Sequence, residues 1–140
     1  MIPEREALVA YRLEQVTESL ECAQMMIDGR KYRPAVNRAY YAMFYSVLAL
    51  LAVKGQASSK HSGVMGAFDH DYVKPGLLPR RLSTWLHEAF DLRQRADYRE
   101  MFRVPRGTAA RILKNARAFA ARVEKQVMRT VAPAPRGRHS

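Results

Sequence analysis

Apolar residues recur early in the chain at Leu8, Tyr11, Val16, Leu20, Ala23 and Ile27. That spacing is close to the 3.6-residue period of one helix face. It predicts a helix over about Glu4–Ile27, with Pro3 just ahead and the glycine of "DGR" (Asp28–Arg30) where a helix is expected to stop. A second helix is predicted to follow Arg33, with Pro34 in its first turn, and to run to about Lys54 before Gly55. Its apolar residues Ala35, Tyr40, Tyr41, Phe44, Val47, Leu48 and Leu51 cover most of the circumference, which predicts a central helix packed on several sides. A shorter third helix is expected over Lys60 to about Asp71, capped by Ser58 or Ser59 and followed by the turn "VKPGLLP". The fourth begins near Pro79 and carries Leu82, Trp85, Leu86, Ala89, Phe90 and Leu92. After "RVPRG" the fifth runs from about Thr108 to Thr130, with Ile112, Leu113, Ala116, Phe119, Ala120, Val123 and Val127 on one stripe. No alternating strand pattern competes with these helices. The expected fold is an all-α, up-and-down antiparallel bundle of four to five helices over residues 1–131, with short connections. The remaining 132–140 are Pro-rich and basic, and are expected to be a disordered tail.

Charge adds a direction to this picture. Of the net +11, residues 1–28 contribute six acids and two bases, whereas residues 99–140 contribute eleven bases and two acids. A basic C-terminal third attracts phosphate backbones or an acidic partner protein. The length of 140 residues suits one domain. The longest apolar run, Ala39–Val53, is interrupted by Tyr40, Tyr41, Tyr45 and Ser46, and falls short of the roughly 18 residues that a membrane span needs. The acidic, amphipathic N-terminus is unlike a secretory signal, and a lone Cys22 excludes an internal disulfide. The expected location is therefore the cytoplasm, with no membrane association.

No CxxC, HExxH or Gly-rich phosphate loop is present, and His61, His70, His87 and His139 lie in different segments. The expectation is that no metal or cofactor is used. Two clusters carry polar chemistry. On the second helix Asn37, Tyr40, Tyr41 and Phe44 are spaced i, i+3, i+4, i+7 and share a face. They make either a tyrosine-rich core stripe or a polar site, since a buried Asn amide needs partners. On the fourth helix "LRQRADYRE", Leu92–Glu100, places Arg93 and Asp97 as i, i+4 neighbours. This is either a charged helix end or a groove in which Arg93, Asp97 and Tyr98 handle a phosphate. The basic positions of the fifth helix, Arg111, Lys114, Arg117, Arg122 and Lys125, offer a third, purely electrostatic surface.

The stretches "RPAVNRAYYAMFYSVLALLAVKG", "SKHSGVMGAF", "GLLP" and "LRQRADY", in this order over roughly Glu4–Glu124, resemble the HEPN domain, named for higher eukaryotes and prokaryotes nucleotide-binding. More closely, the chain is similar to its small stand-alone prokaryotic branch. The resemblance implies a helical bundle that forms a homodimer, and membership of a toxin–antitoxin or defence module. It also implies a minimal nucleotidyltransferase partner and action on RNA without a metal. The ribonuclease signature of such proteins is an Arg followed, after four to six residues, by a His. Arg93 matches the arginine and Gln94 the polar residue after it, but with four residues intervening the histidine position holds Tyr98. Tyrosine, with a pKa of roughly 10, is a poor proton carrier at neutral pH. Catalysis and simple nucleotide or RNA binding therefore both stay open.

Arg93, Asp97, Tyr98 and His61 are the catalytic candidates, and Asn37, Arg38, Tyr41, Lys60 and Arg95 the nucleotide- or RNA-binding ones. Tyr98 is also a candidate acceptor of AMP from the partner. His61 can replace the missing histidine only if the third helix folds back over the groove; otherwise it is a cap or core-edge residue. His87 lies six residues before Arg93, about 9 Å along the helix axis, too far to share one phosphate.

Overall fold

A computed structural model of the chain describes residues 3–57, 60–99 and 101–131. Five α-helices run along it: α1 (Pro3–Asp28), α2 (Tyr32–Val53), α3 (His61–Phe68), α4 (Arg80–Tyr98) and α5 (Arg106–Val131). A π-helical turn, Asp69–Val73, extends α3, and no strand occurs among the described residues. The bundle is all-α and antiparallel, as the periodicity predicts. The N-cap of α3 is Lys60, in extended backbone and without a side-chain cap bond, rather than the expected Ser58 or Ser59. Those two serines and the 132–140 tail lie outside the described residues, so the tail's expected disorder has no counterpart here.

The expected central helix is α2. Fifteen of its residues are buried, because apolar side chains face α1, α4 and α5 on three sides. Among the described residues α2 is the one helix long and apolar enough to cross a membrane, but 72% of its apolar window is covered by the rest of the bundle. Tyr32 rather than Pro34 opens it; a proline in the first turn costs no hydrogen bond, so the helix starts two residues earlier than Pro34 suggests.

Two helix ends use the same device with different residues. After α2, Gln56 N–H bonds to Leu51 O and Gly55 N–H to Ala52 O, with Gly55 at φ 72°. This is a Schellman closure with glycine in the left-handed position. After α1, Lys31 N–H bonds to Met26 O and Arg30 N–H to Ile27 O, but here the left-handed residue is Arg30, at φ 61°. The glycine that the sequence offers, Gly29, sits one position too early.

The third helix is shorter than Lys60–Asp71 and changes type. Lys74 N–H reaches back five residues to Asp69 O, which widens the final turn. The Asp69 carboxylate pairs with His87 Nε2 at 2.8 Å and fastens this turn to α4. Beneath it Phe68 packs on Phe119 of α5, with ring centroids 5.4 Å apart and both side chains fully buried.

Candidate functional site

The two polar clusters of the sequence meet. Asn37, Tyr40, Tyr41 and Phe44 on α2 face Phe90, Arg93 and Asp97, which are i, i+3, i+7 on α4. Asn37 bridges them: its Nδ2 donates to Asp97 Oδ2 at 3.3 Å, while its Oδ1 accepts from Arg38 Nε at 3.0 Å and Nη2 at 2.8 Å. The amide is thus partnered on both sides, which answers the cost of placing an Asn on an otherwise apolar face. Arg38 in turn lies over the Tyr41 ring, 4.8 Å from its centroid.

Arg93 occupies the centre. Its side chain is only 12% exposed, and its guanidinium lies 5.5 Å from the Tyr40 centroid and 5.3 Å from that of Tyr41. Nε approaches Asp97 Oδ2 at 3.4 Å, an ion pair too poorly aligned to be a hydrogen bond, so the buried Nε has no aligned acceptor among the described residues. An arginine held by aromatic faces and one distant carboxylate keeps donor capacity for a ligand anion.

The first residue of α3 completes the cluster. His61 stacks on Phe44, with ring centroids 4.5 Å apart, and on Tyr40 at 5.7 Å. Its Nδ1 lies 2.7 Å from Tyr40 Oη, and Tyr41 and Phe90 close around it. Burial lowers the proton affinity of His61, and the Arg93 charge lowers it further. Burial pushes the Tyr40 hydroxyl well above its ordinary value, against a smaller opposing effect of Arg93, so it stays protonated. A neutral imidazole beside a phenol allows two tautomers. When Nδ1–H donates to Tyr40 Oη, Nε2 carries the lone pair of a base.

The sequence-derived candidates divide. Arg93, Asp97, His61, Asn37, Arg38 and Tyr41 come together, with Tyr40 and Phe44, which the α2 spacing puts on the same face. Tyr98 and Arg95 do not join them. Tyr98 is five positions on from Arg93, a rotation of about 140° around the helix. Tyr98 is 75% exposed and lines a shallow outer cleft with Asp91, Gln94, Arg95 and Arg99. Lys60 immediately precedes His61 and is exposed. The basic face of α5 is partly engaged: Arg111 pairs with Glu88 at 2.8 Å and Arg117 donates to Gln24 at 3.1 Å.

One contributor has no sequence signal. Arg33 Nη2 donates to the carbonyl of Ala96 and, at 3.4 Å, to that of Arg99. It satisfies carbonyls that the end of α4 leaves open, and it fixes where α4 ends relative to α2.

Comparison with known proteins identifies the family. Residues 9–126 match the HEPN domain family. A Thermotoga maritima protein named "UPF0332 protein" is 34% identical over 124 residues, covering 89% of this chain and 94% of that one. A Methanocaldococcus jannaschii protein named "Putative toxin MJ0142" is 33% identical over 116 residues, covering 83% of this chain and 79% of that one. A second protein of that organism, "Putative toxin MJ0605", is 36% identical over 94 residues, covering 67% of this chain and 69% of that one. With a family match across most of its length and relatives of this similarity, the chain belongs to the HEPN domain family.

Proposed function

We propose that this protein is a toxin-like HEPN protein whose Arg93–His61 cluster acts on RNA without a metal. In this reading it works as a homodimer, in a two-component module with a small nucleotidyltransferase. The observation that carries it is the partly buried His61, with lowered proton affinity, beside the Arg93 guanidinium. The names of two relatives support the toxin part.

The chemistry follows from the groups. Arg93 holds the non-bridging oxygens of a phosphodiester. His61 Nε2 accepts the proton of the 2′-hydroxyl, whose oxygen bonds to phosphorus as the bond to the 5′-oxygen breaks. The imidazolium then returns its proton to the departing 5′-oxygen, leaving a cyclic phosphate. In the tautomer with Nδ1–H, Tyr40 Oη accepts that proton and leaves Nε2 as the base, and Asp97 and Asn37 hold Arg93.

Tyr98 takes a separate role. Exposed between Arg95 and Arg99, it is open to a partner enzyme, and the two arginines suit the phosphates of an incoming nucleotide. Its phenol oxygen would attack the α-phosphorus of ATP, releasing pyrophosphate and leaving AMP on the ring. Mass spectrometry after co-expression with the proposed nucleotidyltransferase partner tests this, and an unmodified Tyr98 removes it.

The main reading is tested with purified protein and structured RNA. Wild type is expected to cleave, and Arg93→Ala and His61→Gln to lose on the order of a hundredfold or more in rate. If RNA stays intact with wild type but is bound with strong salt dependence, the site is a binding module only. Light scattering on the purified chain checks the dimer.

A further inference from the structure

The Arg93–His61 cluster accounts for one phosphate and leaves the rest of a bound strand unheld. A cleft of about 600 Å³ lies between the α1–α2 and α4–α5 connections. Its charged lining is wholly basic: Arg30, Lys31, Arg33, Arg103 and Arg106. Tyr32, half-buried at the rim, adds a ring. Five cations around one concavity repel one another, and an anion relieves that repulsion.

Two details show that the fold maintains this concentration of charge. Arg30 stands in the left-handed conformation at the lip, a position that glycine fills at no steric cost. Arg33 is pinned by the carbonyls of Ala96 and Arg99, so the cleft is continuous with α4, which carries Arg93 and Asp97. Arg33 also lies one helical turn from Asn37 on α2, a rise of about 6 Å. That step puts the cleft at the Asn37–Asp97 end of the cluster, where a strand leaving Arg93 would run, and the Tyr32 ring suits a stacked base.

We propose that this cleft is a phosphate-binding subsite for the RNA backbone flanking the bond held at Arg93 and His61. It rests on the reading that the Arg93–His61 cluster acts on RNA. Nucleotides on this flank bind through their phosphates, so the subsite favours strand length over sequence.

Fluorescence anisotropy with labelled single-stranded RNAs tests it, using one RNA of about 12 nucleotides and one of about three. The double variant Arg103→Ala/Arg106→Ala is expected to bind the long RNA roughly tenfold more weakly, with a salt slope shallower by about 0.7 for each phosphate no longer neutralised. Binding of the short RNA is expected to be unchanged. Arg30→Gly, which keeps the backbone conformation, is expected to weaken binding less, in the same direction. Wild-type affinity of these variants for the long RNA, while Arg93→Ala still abolishes cleavage, overturns the subsite and leaves the main reading standing. Unchanged RNA binding together with abolished binding to the co-expressed partner assigns the cleft to an acidic protein, and also overturns it. A wild-type protein that binds neither RNA at low salt defeats the main reading and the subsite together.

Discussion

At the scale of single residues, the proposed site turns on His61 and Arg93. The fold favours neutral His61, because burial and then the Arg93 charge lower its proton affinity below the ordinary 6.5. The unfolded chain takes up that proton first as the pH falls. Stability from this group is therefore full above about pH 6.5 and is lost as the pH falls toward the lower folded value. The thermal midpoint of wild type is expected to fall more steeply between about pH 7 and 5 than that of His61→Gln, as differential scanning fluorimetry would show. Parallel slopes would mean that His61 is not held neutral. Arg93 makes a second prediction at this scale. A lysine keeps the charge but loses the planar fork that fits between two tyrosine rings and an anion. Arg93→Lys is expected to cleave or bind RNA little better than Arg93→Ala, measured under the same conditions.

At the scale of elements, the paired helix ends differ in a measurable way. Gly55 takes a left-handed φ, and a Cβ added there would lie 2.5 Å from Arg5 Nη2. Gly55→Ala is expected to lower stability by about 1–2 kcal/mol, the cost of a left-handed side chain, plus displacement of Arg5. Arg30→Gly is expected to do the opposite and stabilise by about 0.5–1 kcal/mol, because glycine removes the strain at a small cost in unfolded-chain entropy. Urea unfolding of both variants checks the pair of signs. The boundaries of these elements were only partly legible. Periodicity carries α1, α2, α4 and α5 to within about two residues, because each buries a continuous stripe. The widened turn at Asp69–Val73 has no such pattern. It is held by the Asp69–His87 pair between residues far apart in sequence, which periodicity cannot register.

At the scale of the whole molecule, the legible part of the site is the part built on helix faces. Asn37, Tyr41, Arg93 and Asp97 are visible as spacings, and α2 and α4 need only pack together to join them. His61 was reachable only as a condition on where α3 goes, and the Arg30–Arg103–Arg106 cleft only through the fold, since its two basic stretches lie far apart along the chain. Tyr98 shows the converse: adjacency to Arg93 in sequence becomes separation around a helix. The core that joins these parts is tested at Phe119, fully buried against Phe68. Phe119→Ala is expected to cost about 3–5 kcal/mol, with unfolding still a single transition in circular dichroism, because α5 and α3 share one core.

The ring contacts of His61 come from α2 and α4: Tyr40, Tyr41, Phe44 and Phe90. The covalent path that delivers the imidazole is thus separate from the walls that hold it. The stretch between Gln56 and Lys60 supplies none of these four rings, so a change in its length alters the tether of His61 and not its walls. A circular permutant opened in that stretch keeps the same walls for the ring. The order of the site along the chain is incidental to its order in space.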